Sequence, residues 1–248
     1  MAEIIGHTII KLTSVDSTNN YATAHLSKNN WKEGTVVVSG EQTNGRGQIN
    51  NCWESEPDQN ILMSIVLYPE FLPVHLQFMI SKIVTIGICK TLLVLVDDVL
   101  VKWPNDIYAG DRKVAGILIE NAIMGNTLYS SVAGIGLNVN QAVFESDAPN
   151  PVSLYQLSGN KTDINELVNE LLKNIDHWYL KLKQGLFEEI DRAYLQHLYR
   201  KDEMADYKDN TGLFRGVLKG VNEIGQLIIQ PETGGLRCYH FKEVEFIL

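Results

Sequence analysis

Apolar positions change their period several times along the chain, and each change marks an element. "HTIIKLT" (7–13) reads as a strand, and "DSTNNYATAHLSKN" then reads as a helix. Asp16, Ser17 and Thr18 mark that helix's start, because their side chains can accept from backbone N–H groups left free in a first turn. "GTVVVSG" (34–40) is a β-branched strand between glycines, and Ile61–Tyr68 is a continuous apolar strand. Pro73 opens a helix through roughly Leu95 that is apolar on most of its surface, and so predicted to be buried. "DVLVKWPNDIYAGDRKVAGILIENA" follows as strand, turn, strand, hairpin turn at Ala109–Asp111, and strand. Residues 127–140 form another strand, ending in glycines and asparagines. In Asp163–Lys183 the residues Ile164, Leu167, Val168, Leu171, Leu172, Ile175, Trp178 and Tyr179 keep one helical face apolar; Leu186–Arg200 is a further helix.

After "KDEMADY" the texture becomes short strands punctuated by Gly220, Gly225, Gly234 and Gly235. The pattern predicts an α/β body over 1–203 and a small barrel-like β unit over 204–248. Two stretches hold no period, 41–58 and "QAVFESDAPNPVSL". Aperiodic connections of that length in a compact domain are functional or disordered.

Composition narrows the class. The chain has 248 residues, enough to bury a core, and its 45% hydrophobic and 21% charged content is that of a globular enzyme or binding protein. A formal net charge of −9 argues against duplex DNA as a partner, which calls for a basic face. It leaves room for a nucleotide, which one or two cations can hold. Cys52, Cys89 and Cys238 are far apart and match no metal or disulfide spacing, which predicts a reducing cytoplasm. No apolar run reaches the roughly 18 residues of a membrane span, and no signal peptide is evident at the N-terminus.

The candidate chemistry lies in short motifs, each with two readings. "GRG" (45–47) has glycines that allow close backbone approach and an arginine suited to phosphate or carboxylate; alone it is equally a solvated surface turn. Lys102 in "VKWPND" ends an apolar strand, so its ammonium either snorkels to water or meets an anion in a cleft. "DSTNN" caps a helix and has hydroxyls to spare for a polar ligand. Lys113 before Gly116, and Asn138 in "GIGLNVN", are solvated or turn residues on one reading and phosphate- or ribose-facing on the other. The six histidines make no catalytic or metal spacing, and P-loop, Gly-x-Gly-x-x-Gly and Gly-x-Ser-x-Gly signatures are absent.

In order, "DSTNNYA", "EQTNGRG…W", "VKWPNDIY…RKVAGILIE" and "GIGLNVNQ…NPVSL" resemble the biotin protein ligases, or biotin–[acetyl-CoA-carboxylase] ligases. "GVLKGVNEIGQLII…EV" resembles their C-terminal SH3-like barrel, so the likeness runs through the whole chain. It implies a class II synthetase-like catalytic domain with a mixed sheet. It also implies two half-reactions: biotin and MgATP give biotinyl-5′-AMP, and a lysine of a biotin carboxyl carrier protein then takes the biotinyl group. By the resemblance, Lys102 and Arg46 are catalytic. Biotin would meet Ser17, Thr18, Asn19, Gln42, Arg46, Gly47, Gln48, Lys102 and Gly116. ATP and the adenylate would meet Arg46, Gln48, Trp53, Lys102, Asn105, Lys113 and Asn138, with 141–150 ordering over adenine. The ligands of Mg²⁺ are unassigned, and the oligomer is a monomer or homodimer.

The first motif begins at Asp16, leaving no room for the N-terminal DNA-binding domain of many relatives; the expectation is a short-form ligase without repressor activity or nucleic-acid partner. One departure stands out. The family loop commonly runs Gly-Arg-Gly-Arg-x-Gly, whereas here Gln48, Ile49 and Asn50 follow Gly47, which weakens the expected hold on the adenylate. The competing readings are a lipoate or octanoate ligase or transferase of related fold, and a non-enzymatic biotin- or nucleotide-binding regulator.

Overall fold

The computed structural model describes residues 3–26, 31–48, 51–145 and 150–247. Its strands form two sheets. The first holds β1 (Ile9–Val15), β2 (Val36–Gln42), β3 (Ile61–Leu67), β4 (Val99–Lys102), β5 (Asp106–Ala109), β6 (Arg112–Met124) and β7 (Thr127–Leu137), in the order β1-β2-β3-β7-β6-β5-β4. β1 and β2 are parallel, joined through α1 (Thr18–Leu26), and every other pairing is antiparallel, so the sheet is mixed as expected.

Successive residues of one strand serve opposite faces. Val36 joins the main core against α2 (Phe78–Leu92), α4 (Ile164–Lys183) and α5 (Phe187–Gln196), while Val37 joins a smaller cluster with Ala22 of α1, Val66 and Val132. The short α3 (Leu154–Ser158) has a complete capping box between Ser153 and Gln156. α2 and α4 cross closely at Gly87, where a Cβ would fall 2.6 Å from an Ile175 side-chain carbon. The second sheet is antiparallel throughout, with β8 (Met204–Asp209), β9 (Gly212–Val221), β10 (Leu227–Pro231), β11 (Arg237–Tyr239) and β12 (Glu245–Phe246) in the order β11-β10-β9-β8-β12.

Several element boundaries differ from expectation, β2 for instance running over Val36–Gln42 and β7 ending at Leu137. β1 runs over Ile9–Val15 rather than 7–13, because its parallel pairing with β2 begins at Ile9 opposite Val36. The helix expected from Pro73 starts as a 3₁₀ turn, Val74–Leu76, and α2 begins only at Phe78. α5 stops at Gln196 instead of Arg200, since the backbone beyond it is taken up by β4: Val101 N–H donates to His197 O (2.7 Å) and Tyr199 N–H to Val101 O (2.9 Å). Asp163 caps α4 from outside, accepting from the N–H groups of Asn165 and Glu166. The expected end of the first helix at 27–29, and Ile49, Asn50 and 146–149 of the two aperiodic loops, lie outside the described residues.

Candidate active site

Three glycines strip side chains from one patch of the sheet. Gly116 of β6 pairs with Gly136 of β7, and Gly134 pairs with Leu118. On this bare patch, α1 and the loop after β2 lay side chains that a larger residue would exclude. A Cβ on Gly134 would stand 2.3 Å from Asn19 Oδ1, and one on Gly136 would stand 2.4 Å from the Trp53 indole. Above this floor lies a cavity of about 420 Å³.

At one end the polar groups are tightly organised. Thr18 donates to Gln42 Oε1 from both its N–H (2.7 Å) and its hydroxyl (3.0 Å). Asn19 Nδ2 donates to Leu118 O (3.1 Å) and Glu120 (2.9 Å), and Ser64 Oγ lies 2.6 Å from Asn19 Oδ1. Arg46 is drawn into the same network by Glu120 Oε1 (2.8 Å) and Asn20 Oδ1 (2.6 Å). With both partners over a third exposed, the Arg46–Glu120 pair contributes only about 0–1 kcal/mol, and an incoming anion can compete for the guanidinium.

At the other end stand two lysines of different status. Lys113 Nζ is paired with Asp106 at 2.7 Å. Lys102, the last residue of edge strand β4, has no salt bridge among the described residues; its Nζ donates to the Tyr108 hydroxyl at 2.9 Å. The Tyr108 and Phe246 ring centroids lie 4.7 Å and 5.6 Å from that nitrogen. Burial holds the Lys102 ammonium below the usual lysine range; Asp106 opposes this, and Lys113 and Arg200 reinforce it. An ammonium that is half-desolvated and unpaired is poised for an anionic ligand.

The C-terminal sheet closes this end. Trp103 Nε1 donates to Gly225 O (2.9 Å), Phe241 meets the Trp103 ring edge-on at 6.4 Å, and Phe246 covers Lys102. The turn between β4 and β5 carries a cis Trp103–Pro104 bond, and Asn105 Nδ2 ties it to Ile117 O at 2.6 Å.

Of the thirteen residues singled out from sequence, all but Asn138 line the cavity. Asn138 is 3% exposed and is not part of that lining; its Nδ2 donates to Val152 O (3.1 Å) and its N–H to Val114 O (2.9 Å), so it clips the segment after 150 against the sheet. Its Oδ1 is buried with no hydrogen-bond partner among the described residues, so the amide keeps an unspent acceptor. Conversely, sequence reasoning passed over Ser64, Glu120, Gly134, Phe241 and Phe246. Of these, Gly134 opens the quoted "GIGLNVN" and Glu120 closes "RKVAGILIE", so both carried a local signal.

With the site's geometry in hand, known proteins can be compared. The profile of the biotin/lipoate A/B protein ligase family matches residues 12–138. A bifunctional ligase/repressor BirA of Bacillus spizizenii is 30% identical over 96% of this chain and 74% of its own length. The chain belongs to the biotin/lipoate A/B protein ligase family. A biotin–[acetyl-CoA-carboxylase] ligase of Paracoccus denitrificans is 29% identical over 90% of this chain and 94% of that protein. Biotin protein ligase from Aquifex aeolicus, solved with biotin and ATP, superposes with a TM-score of 0.81 at 26% identity over 97% of this chain and 98% of that one. The superposition takes in both sheets, so the likeness to this ligase fold is not confined to the family profile.

Proposed function

We propose that this chain activates biotin as biotinyl-5′-AMP and transfers the biotinyl group to a lysine of a biotin carboxyl carrier protein. The observation that carries the reading is Lys102: an unpaired, half-buried ammonium at the end of a cavity whose opposite end is an ordered polar network. Biotin has matching ends, a ureido group that needs hydrogen bonds and a carboxylate that needs a cation. Gln42, Ser17 and the α1 residues Thr18 and Asn19 take the first, with the ring system above Gly116. Lys102 takes the second.

In the first half-reaction a carboxylate oxygen attacks the α-phosphorus of ATP and pyrophosphate leaves with the P–O bonding pair. Two anions must meet, and Lys102, joined by Arg46 and Lys113, offsets their repulsion as charge builds at the phosphate. Gly47, Gln48, Trp53 and Asn105 line the same approach and hold the adenylate. Mg²⁺ arrives with the nucleotide as part of the substrate; among the described residues no three His, Cys, Asp or Glu side chains converge on one point. In the second half-reaction the lysine ε-amine attacks the acyl carbon: a C–N bond forms, the C–O bond to AMP breaks, its electron pair leaves with AMP, and the surplus proton passes to solvent. Activation supplies the leaving group, so no enzyme nucleophile is required.

Relatives named as biotin–[acetyl-CoA-carboxylase] ligases support biotin over lipoate, which the family profile alone leaves open. We take 1–203 as the catalytic part and 204–248 as the barrel; β8 begins at Met204, although both parts line the cavity. Among the described residues no helix is long and apolar enough to cross a membrane; the site of action we propose is the cytoplasm. The test is incubation with biotin, MgATP and a carrier-domain fragment, following ATP–pyrophosphate exchange and a biotinyl mass increment on one lysine. Exchange that requires lipoate instead, or no exchange and no transfer, overturns the reading.

A further inference from the structure

A second cavity, of about 370 Å³, lies past the edge of β6 and touches the first. Gln48, Pro104, Asn105, Ile117 and Phe241 line both, so the two share a wall. Beyond Gly116, β6 pairs only with β7, and the strand edge there faces the start of α2 and the C-terminal sheet's turns. Gln77 just before α2, Phe78 and Ser81 of α2, Ile119 and Asn121 of β6, and Ile224 complete the lining.

Two properties separate this cavity from an ordinary surface groove. First, none of its lining side chains is charged. Second, it is lined by two residues whose amide oxygens, Gln48 Oε1 and Asn121 Oδ1, are buried with no hydrogen-bond partner among the described residues. The Asn121 amide is oriented by its neighbour, since Nδ2 donates to Gln77 Oε1 at 3.1 Å and leaves the oxygen as the unspent end. A carbonyl oxygen can only accept, so what matches this pair is a donor, such as the N–H of a lysine amine.

Resting on the ligase reading, we infer that this second cavity is the approach of the acceptor lysine. The methylenes of its side chain lie along Phe78, Ile119, Ile224 and Phe241. Its nitrogen is received by Asn121 and passed to Gln48 at the wall shared with the adenylate. The neutral lining serves the chemistry: a carboxylate here would pair with the ammonium and raise its pKa, whereas apolar walls and amides favour the uncharged amine that attacks. Asn121 is a positioning residue for the second half-reaction alone.

The experiment uses the full chain and two variants, Asn121→Leu and Asn121→Asp. Three rates are read: ATP–pyrophosphate exchange, single-turnover transfer to a carrier-domain fragment, and capture of the adenylate by hydroxylamine, which is small enough to enter through the first cavity. Asn121→Leu is expected to leave exchange and hydroxylamine capture unchanged and to slow transfer to the carrier about tenfold. Asn121→Asp is expected to move the pH profile of transfer upward by about one unit, because the carboxylate holds the lysine protonated. Native transfer by Asn121→Leu, an equal fall in all three rates, or an unmoved pH profile in Asn121→Asp overturns the inference while the ligase reading stands. Absence of exchange and transfer in the native chain removes both.

Discussion

Alanine at Gly134 and alanine at Gly136 add the same methyl group to the same strand, two residues apart, yet the structure assigns them different costs. At Gly134 the new Cβ falls 2.3 Å from Asn19 Oδ1 and 2.9 Å from its Cγ. Asn19 cannot yield cheaply, since it is 3% exposed and held by Ser64, Leu118 O and Glu120. Overpacking of this kind costs about 1–3 kcal/mol, and each buried hydrogen bond lost adds about 1 kcal/mol. The expected loss is about 3 kcal/mol, or roughly 6–12 °C in Tm for a chain of this size. At Gly136 the methyl meets Trp53 Cε2 at 2.4 Å and Nε1 at 2.7 Å. Trp53 sits on a loop, is only partly buried, and its indole N–H has no partner among the described residues, so the ring can lift. The stability cost there is at most about 1 kcal/mol. Adenylate formation, which needs that ring seated, falls roughly tenfold to a hundredfold. Thermal melts and pyrophosphate exchange on the two variants measure the contrast. Equal destabilisation by both would make Trp53 a core residue rather than a movable cover. Native exchange in Gly136→Ala would remove the ring from the reaction.

Other expectations follow from single groups. Lys102→Met should melt at or above the native temperature, because it removes a half-desolvated ammonium, while exchange falls below detection; retained exchange would clear Lys102 of its role. In the native chain, the Lys102 charge that captures a carboxylate is present at neutral pH and lost as pH rises through a pKa held below the usual 10.5. Biotin affinity should therefore weaken earlier in the alkaline range than an ordinary lysine predicts, as titration calorimetry across that range would register. Gln48→Arg should slow escape of labelled biotinyl-adenylate about tenfold by adding a charged hydrogen bond, and an unaltered release rate counts against that loop as the retaining element. In the C-terminal sheet, hydrogen bonds from Thr211 and Tyr239, aided by Arg237, hold the Asp209 carboxyl at about 2, below its ordinary 3.8. Its stabilisation is present above about pH 4 and fades as pH falls through about 2, so the melting difference between native protein and Asp209→Asn should close over that window. A difference that persists at pH 2 would assign the effect to packing.

Residues that meet around the cavity were readable where their types conflict with plain structure. A glycine pair around Arg46, a lysine ending an apolar strand at 102, and hydroxyls at 17 and 18 all ask for an explanation that local structure does not give. Their placement around one cavity agrees with that reading. Asn138 shows the limit, because an amide after a strand does not announce which of its ends structure will use: here Nδ2 meets Val152 O and Oδ1 has no partner among the described residues. Phe241 and Phe246 were unreadable for another reason: an aromatic in a small β unit is ordinary, and only the docking of that unit onto Trp103 turns them toward Lys102. The overrun of α5 has the same origin. Its sequence stays helical in character, but β4 claims the backbone of 197–199 through long-range hydrogen bonds.

The wall that Phe241 and Phe246 contribute has a bearing on the order in which the protein becomes competent. Domains fold as they emerge from the ribosome, N-terminal parts first. The seven-stranded sheet, with Lys102 and the glycine floor, is complete in the nascent chain long before residue 246 is joined. Until then the lysine faces open water on the side where Phe246 later stands. Catalytic competence is therefore among the last properties acquired during synthesis, and a premature stop before residue 241 removes both Phe241 and Phe246 from the cavity wall.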